Sequence, residues 1–197
     1  MPLSKWYTLY HRHKDHALCI DIETAGYNKP ITVVGTYHPK EGPIQYVPYI
    51  KNKNLTSQSL YKAFSGYSLF ITFNGLSFDL PRLQAEYPGV IPRGIPVLDL
   101  YRIIRILGIN TNLQVLENTL GIERPDVHTQ RRRIAAKLWH RYETFIDQSS
   151  LQKLLDYNEQ DTVNLFPIAN TLLPILNTTH IKPTDASGSV AEPFKVS

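Results

Sequence analysis

The segment from Ala17 to Glu23 constrains the fold of this chain more than any other part of the sequence. It begins with an unbroken apolar run and then alternates between acidic and apolar residues, which predicts a buried strand that ends in carboxylates. On a strand, the spacing of Asp21 and Glu23 places both carboxylates on one face. Two neighbouring acids repel each other unless a cation lies between them. A solvated strand end before a turn explains the same pair equally well.

The rest of the chain predicts an α/β layer architecture that opens with three antiparallel strands. Further strands are expected where β-branched and aromatic residues lie between turn residues, at residues 31–37, 44–50, 68–73 and 97–101. Helical spacing predicts a helix that begins near Asp79 and others at residues 57–64, 113–120, 133–145 and 150–173. Pro167 and Pro174 are expected to bend or end the last of these helices.

Length and composition favour one compact domain. The chain has 197 residues, of which 42% are hydrophobic, and we place a domain at residues 1–180 and a flexible Pro/Ser/Gly-rich tail at residues 181–197. A single cysteine, Cys19, excludes an internal disulfide framework and a cysteine zinc site. We see no secretory signal in residues 1–14 and no apolar run near the roughly 20 residues that cross a bilayer, so we expect a cytoplasmic protein. The net charge of +4 is compatible with a polyanionic partner but does not identify one.

Two further acidic motifs follow along the chain. Asn74 comes directly after an apolar strand, and Asp79 lies where the next helix begins, a position that an ordinary N-terminal cap also explains. Tyr157 and Asp161 are four residues apart in a late helix, which places both on one helical face. An amphipathic helix with a solvated acid explains the second motif on its own.

The three motifs together, in this order, resemble the DEDDy 3′–5′ exonuclease superfamily, which includes the proofreading domain of family-B DNA polymerases. The resemblance spans residues 17–173 and is closest to the stand-alone YprB-type ribonuclease-H-like family. Further segments similar to that family are residues 97–100, 120–124, 136–139 and 157–161. The resemblance implies a ribonuclease-H-like three-layer fold, with a central mixed sheet whose first three strands are antiparallel, flanked by helices.

The resemblance also implies a metal-dependent 3′–5′ exonuclease that hydrolyses DNA or RNA with two divalent cations, Mg²⁺ or Mn²⁺. Asp21 would bridge the two ions, Glu23 and Asp161 would complete the nucleophile-side site, and Asp79 would act on the second ion through water. Tyr157 would orient the attacking water, because an unperturbed tyrosine is a poor base at neutral pH. A single-stranded 3′ end is the expected substrate, and protein partners are not indicated.

Substrate contacts are expected from Asn74 and Phe78, at the terminal nucleotide, and from a basic helix. That helix offers phosphate contacts from Arg131, Arg132, Arg133 and Lys137, although a solvated helix face explains the same charges. Within it, Trp139 is expected in the core. Asp99 is expected to be a supporting carboxylate outside the metal set, since a buried acid in an apolar run usually has a partner.

Other features of the sequence carry no role, and other functions are compatible with it. His11, His13 and His16 are expected to be solvated at a frayed N-terminus, and they receive no role. A structure-selective endonuclease could use the same acids. A catalytically silent nucleic-acid-binding module, or a structural or regulatory subunit, could use the same fold without the chemistry. No motif distinguishes DNA from RNA, because that choice depends on contacts to the 2′-hydroxyl.

Overall fold

The computed structural model describes residues 3–39, 45–124 and 134–178. Within them, a single mixed sheet has the strand order β3-β2-β1-β4-β5. Its strands are β1 Ala17–Thr24, β2 Ile31–Tyr37, β3 Tyr46–Ile50, β4 Leu69–Thr72 and β5 Val97–Asp99. The pairs β1–β2 and β2–β3 are antiparallel, whereas β1–β4 and β4–β5 are parallel. The predicted mixed sheet with three antiparallel strands is therefore confirmed.

Helices cover both faces of this sheet, as the predicted three-layer fold requires. Their bounds are α1 Leu3–His13, α2 Ser57–Phe64, α3 Asp79–Glu86, α4 Leu100–Ile106, α5 Leu113–Thr119, α6 Ile134–Phe145, α7 Gln148–Val163 and α8 Leu165–Thr178. The side chains of β1 alternate between the two layers: Cys19 packs with residues of α4, α5 and α8, and Ile20 packs with residues of α2 and α3. Among the helices described, none combines the length and the apolar character that a bilayer crossing requires.

The prediction that the chain opens with strands and a frayed N-terminus is wrong. The first described element is α1, which packs against α8. Tyr10 on α1 is only 1% exposed, and its hydroxyl donates to Oδ1 of Asn170 on α8 at 2.7 Å. The aromatic residues of α1, which include Trp6 and Tyr10, recur at helical spacing and bury one face, while the histidines and basic residues gave this segment its polar character.

Two predicted boundaries were also wrong. The fifth strand ends at Asp99 and not at residue 101, because the Asp99 side chain accepts the backbone N–H of Arg102 at 3.3 Å and caps α4. The long helix predicted at residues 150–173 is two helices that meet at Asn164. Pro167 consequently lies in the first turn of α8, where its missing N–H costs no hydrogen bond, and Pro174 lies inside α8. The predicted tail at residues 181–197 lies outside the described residues.

One glycine determines how closely α7 approaches the sheet. Gly35 on β2 is paired in register with Asp21 on β1. A Cβ atom at Gly35 would lie 2.1 Å from Oδ1 of Asn158 and 2.4 Å from Oγ1 of Thr162, both on α7. Only a residue without a side chain allows α7 to cross β2 at this distance, and that crossing brings α7 beside Asp21.

Candidate metal centre

Three carboxylates that are far apart in the sequence meet at the end of β1. Asp21 and Glu23 point from β1 to the face that α7 covers, as their two-residue spacing predicts. Asp161 reaches the same place from α7. Each of the three offers one carboxylate oxygen, and these oxygens all lie within 4.8 Å of one another.

Burial and mutual repulsion make it unfavourable for these carboxylates to be negatively charged without a cation. Burial raises the pKa of Asp21 well above its usual range, and the charges of Glu23, Asp79 and Asp161 raise it further. Burial also raises the pKa of Glu23, and the charges of Asp161 and Asp79 raise it further. A divalent cation would compensate these charges, and a ligand set made only of oxygen favours hard ions such as Mg²⁺ or Mn²⁺. The residues present therefore fit such a cation.

Asp79 lies beside the three-carboxylate group but is fixed to the backbone of β1. It is the first residue of α3, and its Oδ1 accepts the backbone N–H of Ile22 at 3.0 Å. Burial raises the pKa of Asp79 to about 7, against the opposing effect of hydrogen bonds from the backbone of Asp79 and Ile22. The cap position of α3 is Phe78, whose side chain makes no capping bond. The bond to Ile22 ties the start of α3 to the strand that carries Asp21 and Glu23.

Tyr157 lies on α7, one turn before Asp161. Burial raises the pKa of its phenol far above the usual value of 10, and the charges of Asp161, Glu23 and Asp21 raise it further. A hydrogen bond with Asp161 acts in the same direction. The hydroxyl therefore keeps its proton at neutral pH, and it can donate or accept a hydrogen bond beside the carboxylates.

Comparison with known families decides the assignment. The model of the RNase H superfamily matches residues 18–173, which include all the acids described above. This chain belongs to the RNase H superfamily. Superfamily membership and the acidic group together support a nuclease that uses divalent metal. No curated protein matches the sequence significantly.

One solved structure resembles this RNase H superfamily member in fold. The family B DNA polymerase from the hyperthermophilic archaeon Pyrobaculum calidifontis is 17% identical, with a TM-score of 0.62, over 81% of this chain and 24% of that chain. The chain thus spans about a quarter of the polymerase. A crystal structure of the EXD2 exonuclease domain, soaked in Mg and GMP, is also 17% identical and covers 93% of this chain and 92% of that chain. Its TM-score of 0.33 is too low to support a shared fold.

In this RNase H superfamily member, sequence reasoning did not identify Asn158 as a site residue. Asn158 is fully buried on α7, its Nδ2 donates to Oδ2 of Asp21 at 2.7 Å, and its Oδ1 accepts the hydroxyl of Tyr46 at 2.8 Å. A signal was present, because the buried face of α7 runs from Leu151 and Leu154 to Asn158 at helical spacing. An amide at a core position needs hydrogen-bond partners.

Sequence reasoning also missed a second polar group behind the site. Arg124 donates from Nη2 to Oδ1 of Asp161, and it holds the carboxylate of Glu117 through both Nε and Nη2. Glu117 is fully buried on α5 and also accepts Nδ2 of Asn164 at 3.0 Å. The family-like segment at residues 120–124 was a signal, although nothing in it indicated the partners of Arg124.

Asp99 supports the turn after β4 and does not join the three-carboxylate group. Its Oδ1 accepts the backbone N–H of Asn74 at 2.9 Å, and its Oδ2 accepts that of Leu76 at 3.0 Å. Asn74 has a φ of 64°, in the left-handed region, so these bonds stabilise a backbone conformation that few residues adopt. Asp99 is therefore a structural carboxylate, as expected from its position in an apolar run.

The predicted substrate contacts fall partly within the described residues. Phe78 is 38% exposed, and the guanidinium of Arg82 lies over its ring at 5.9 Å from the centroid. Lys137 is exposed on α6, whereas Arg131, Arg132 and Arg133 lie outside the described residues. Trp139 is 1% exposed, so its predicted place in the core is confirmed.

Proposed function

We propose that this chain is a metal-dependent 3′–5′ exonuclease of the DEDDy type, closest to the YprB-type family, which hydrolyses phosphodiester bonds of DNA or RNA. One observation carries the proposal: oxygens of Asp21, Glu23 and Asp161 lie within 4.8 Å of one another in a chain of the RNase H superfamily. Acids that share no cation are expected to lie apart, because bringing their negative charges together costs free energy.

The acids hold two divalent cations, Mg²⁺ or Mn²⁺. Asp21, Glu23 and Asp161 supply the direct ligands, because their oxygens lie within 4.8 Å of one another, and Asp79, which is outside that group, acts through water. When bound, the ions stabilise charge on the attacking and leaving oxygens of the phosphodiester. The chain holds these ligands from β1, α3 and α7, so the site depends on tertiary packing.

Tyr157 and Asn158 position groups in this site. The protonated hydroxyl of Tyr157 lies next to Asp161, where it orients the water that attacks the phosphorus. Asn158 holds Oδ2 of Asp21 and leaves the other oxygen of that carboxylate to the cations. Neither side chain needs to change protonation during the reaction.

A single-stranded 3′ end approaches across the start of α3. The partly exposed ring of Phe78 precedes Asp79 directly, so it contacts the terminal nucleotide beside the acids, together with Asn74. Lys137, with Arg131, Arg132 and Arg133, contacts phosphates further along the strand. Recognition by stacking and charge tolerates many sequences, as an exonuclease requires.

Degradation of 5′-labelled single- and double-stranded DNA and RNA tests the proposal, with Mg²⁺, Mn²⁺ or EDTA. We expect a ladder that shortens from the 3′ end in Mg²⁺ or Mn²⁺, no cleavage in EDTA, and no cleavage by Asp161→Asn. The control Glu143→Gln removes an exposed carboxylate that pairs with Lys51 at 3.8 Å, and it should cleave like the wild type. Internal fragments would indicate an endonuclease instead. Absence of metal-dependent cleavage on every substrate would leave a binding module.

A further inference from the structure

Arg124 brings a positive charge into direct contact with Asp161, an acid of the candidate centre. We propose that Arg124, anchored on Glu117, is a positioning residue that fixes Oδ1 of Asp161 and so orients this carboxylate toward the cations. The inference rests on the proposed metal-dependent function, which gives Asp161 its ligand role.

The guanidinium of Arg124 is held rigidly by the carboxylate of Glu117. Its Nε and Nη2 form a fork on the two oxygens of Glu117, and this planar, two-point geometry fixes its orientation. Glu117 has no exposed surface, and its Oε1 also accepts Nδ2 of Asn164. Asn164 directly follows the last residue of α7. The anchor therefore connects α5 to the end of the helix that carries Asp161.

The same Nη2 atom that contacts Glu117 also donates to Asp161. If the two hydrogen bonds to Glu117 served only to attach α5, Arg124 would not also need to contact Asp161. Because Glu117 sets the orientation of the guanidinium, the bond from Arg124 to Oδ1 restricts rotation of the Asp161 carboxylate. Partners that orient metal ligands in this way commonly change metal affinity or activity by about 10–100-fold when removed.

The charges of Arg124 and Glu117 cancel within the pair. Removing Arg124 alone would add uncompensated negative charge beside the site and attract cations, which would hide the loss of positioning. Replacing both residues by neutral ones of similar size, Met for Arg124 and Gln for Glu117, leaves the net charge near Asp161 unchanged. Arg124→Lys keeps the charge and removes only the fork.

Two variants, Arg124→Lys and the double variant Glu117→Gln/Arg124→Met, test the inference, with Glu143→Gln as the control. Free Mn²⁺ is counted by electron paramagnetic resonance, and kcat and KM are measured on a 5′-labelled oligonucleotide. We expect Mn²⁺ affinity and kcat to fall about 10–100-fold in both variants, with KM for the oligonucleotide unchanged. The control should match the wild type.

The two readouts separate this inference from the proposed function. A wild-type protein that binds Mn²⁺ but cleaves nothing would refute the exonuclease, while the Mn²⁺ affinities of the variants would still test the role of Arg124. Wild-type Mn²⁺ affinity in Arg124→Lys would overturn the inference and leave the pair as a purely structural link. If the double variant does not fold, Arg124→Lys alone decides the outcome.

Discussion

Gly35 of β2 and Asn158 of α7 are in direct contact, because a Cβ atom at Gly35 would lie 2.1 Å from Oδ1 of Asn158. The neighbour of Gly35 across the sheet is Asp21, whose Oδ2 accepts Nδ2 of Asn158. The absence of one side chain on β2 thus lets α7 lie close enough to hold a carboxylate on β1. The candidate metal centre depends on this crossing as much as on the acids themselves.

Gly35→Ala should destabilise the protein and disturb the metal site together. The added methyl group overlaps Asn158 and Thr162, so α7 must move away from β2. We expect the free energy of unfolding in urea to fall by about 1–3 kcal/mol, and Mn²⁺ affinity to fall with it. Val47→Ala, at a 43% exposed position on β3, is a control that should change neither quantity appreciably. An unchanged Mn²⁺ affinity in Gly35→Ala would show that the crossing does not position the ligands.

Asn158→Ala should reduce turnover more than Tyr46→Phe does. Asn158→Ala removes the hydrogen bond to Asp21 and leaves the buried Tyr46 hydroxyl without its partner. Tyr46→Phe removes only the hydrogen bond from Tyr46 to Asn158 and keeps the bond from Asn158 to Asp21. We expect kcat to fall about 10–100-fold in Asn158→Ala and less in Tyr46→Phe. Rates on a labelled oligonucleotide, with melting curves for each protein, provide the measurement. Equal rates in the two variants would contradict a role for Asn158 in holding Asp21.

Tyr157→Phe should lower kcat while the protein remains folded and binds Mn²⁺ normally. The hydroxyl is proposed to orient water, and the raised pKa of Tyr157 keeps its proton in place at neutral and mildly alkaline pH. We expect kcat of the variant to fall about 10–100-fold. In the wild type, we expect no decrease in kcat caused by ionisation of the Tyr157 phenol up to about pH 9. A wild-type rate in the variant would remove Tyr157 from the reaction.

The metal-free protein should lose stability as the pH rises through about 7. The pKa of Asp79 is raised to about 7 in the folded state, so the folded protein binds more protons than the unfolded chain between the ordinary carboxyl range and that value. The raised pKa values of Asp21 and Glu23 act in the same direction. Urea unfolding in EDTA should therefore show a free energy that falls with rising pH across this window.

Added Mg²⁺ and the variant Asp79→Asn test the origin of that pH dependence. Cations require ionised ligands, so Mg²⁺ should stabilise the protein more at pH 8 than at pH 5.5. Asp79→Asn should flatten the metal-free curve, because one of the groups that takes up a proton on folding is gone. A metal-free stability that rises with pH across the window would contradict the raised pKa values.

The sheet and the acids could be predicted from the sequence because their signals are local. Period-two alternation predicted β1 and placed Asp21 and Glu23 on one face, and helical spacing did the same for Tyr157 and Asp161. The resemblance to the DEDDy exonuclease superfamily, which the three motifs in this order carry, then implied a shared site. A strong periodic pattern is visible within one segment, without information about the segments that pack against it, so these elements could be predicted.

The remaining features depend on partners that local patterns do not reveal. Helix α1 was missed because its histidines and basic residues gave the segment a polar character, although Trp6 and Tyr10, which pack toward α8, recur at helical spacing. In the sequence, Asn158 and Arg124 look like ordinary polar residues. Their positions beside the acids depend on the close approach at Gly35 and on the hydrogen bonds to Glu117. Such contacts join residues from different elements, and neither composition nor periodicity contains that information.

The central claim is that Asp21, Glu23 and Asp161 jointly bind a divalent cation, and crystals soaked in Mn²⁺ test it most directly. Anomalous scattering from manganese should place an ion about 2.0–2.6 Å from oxygens of all three carboxylates. The same soak of Asp161→Asn crystals should show that peak weakened or absent. Saturating Mn²⁺ that leaves this group without a peak, while the three oxygens keep their mutual separation within 4.8 Å, would contradict the metal centre and the nuclease built on it.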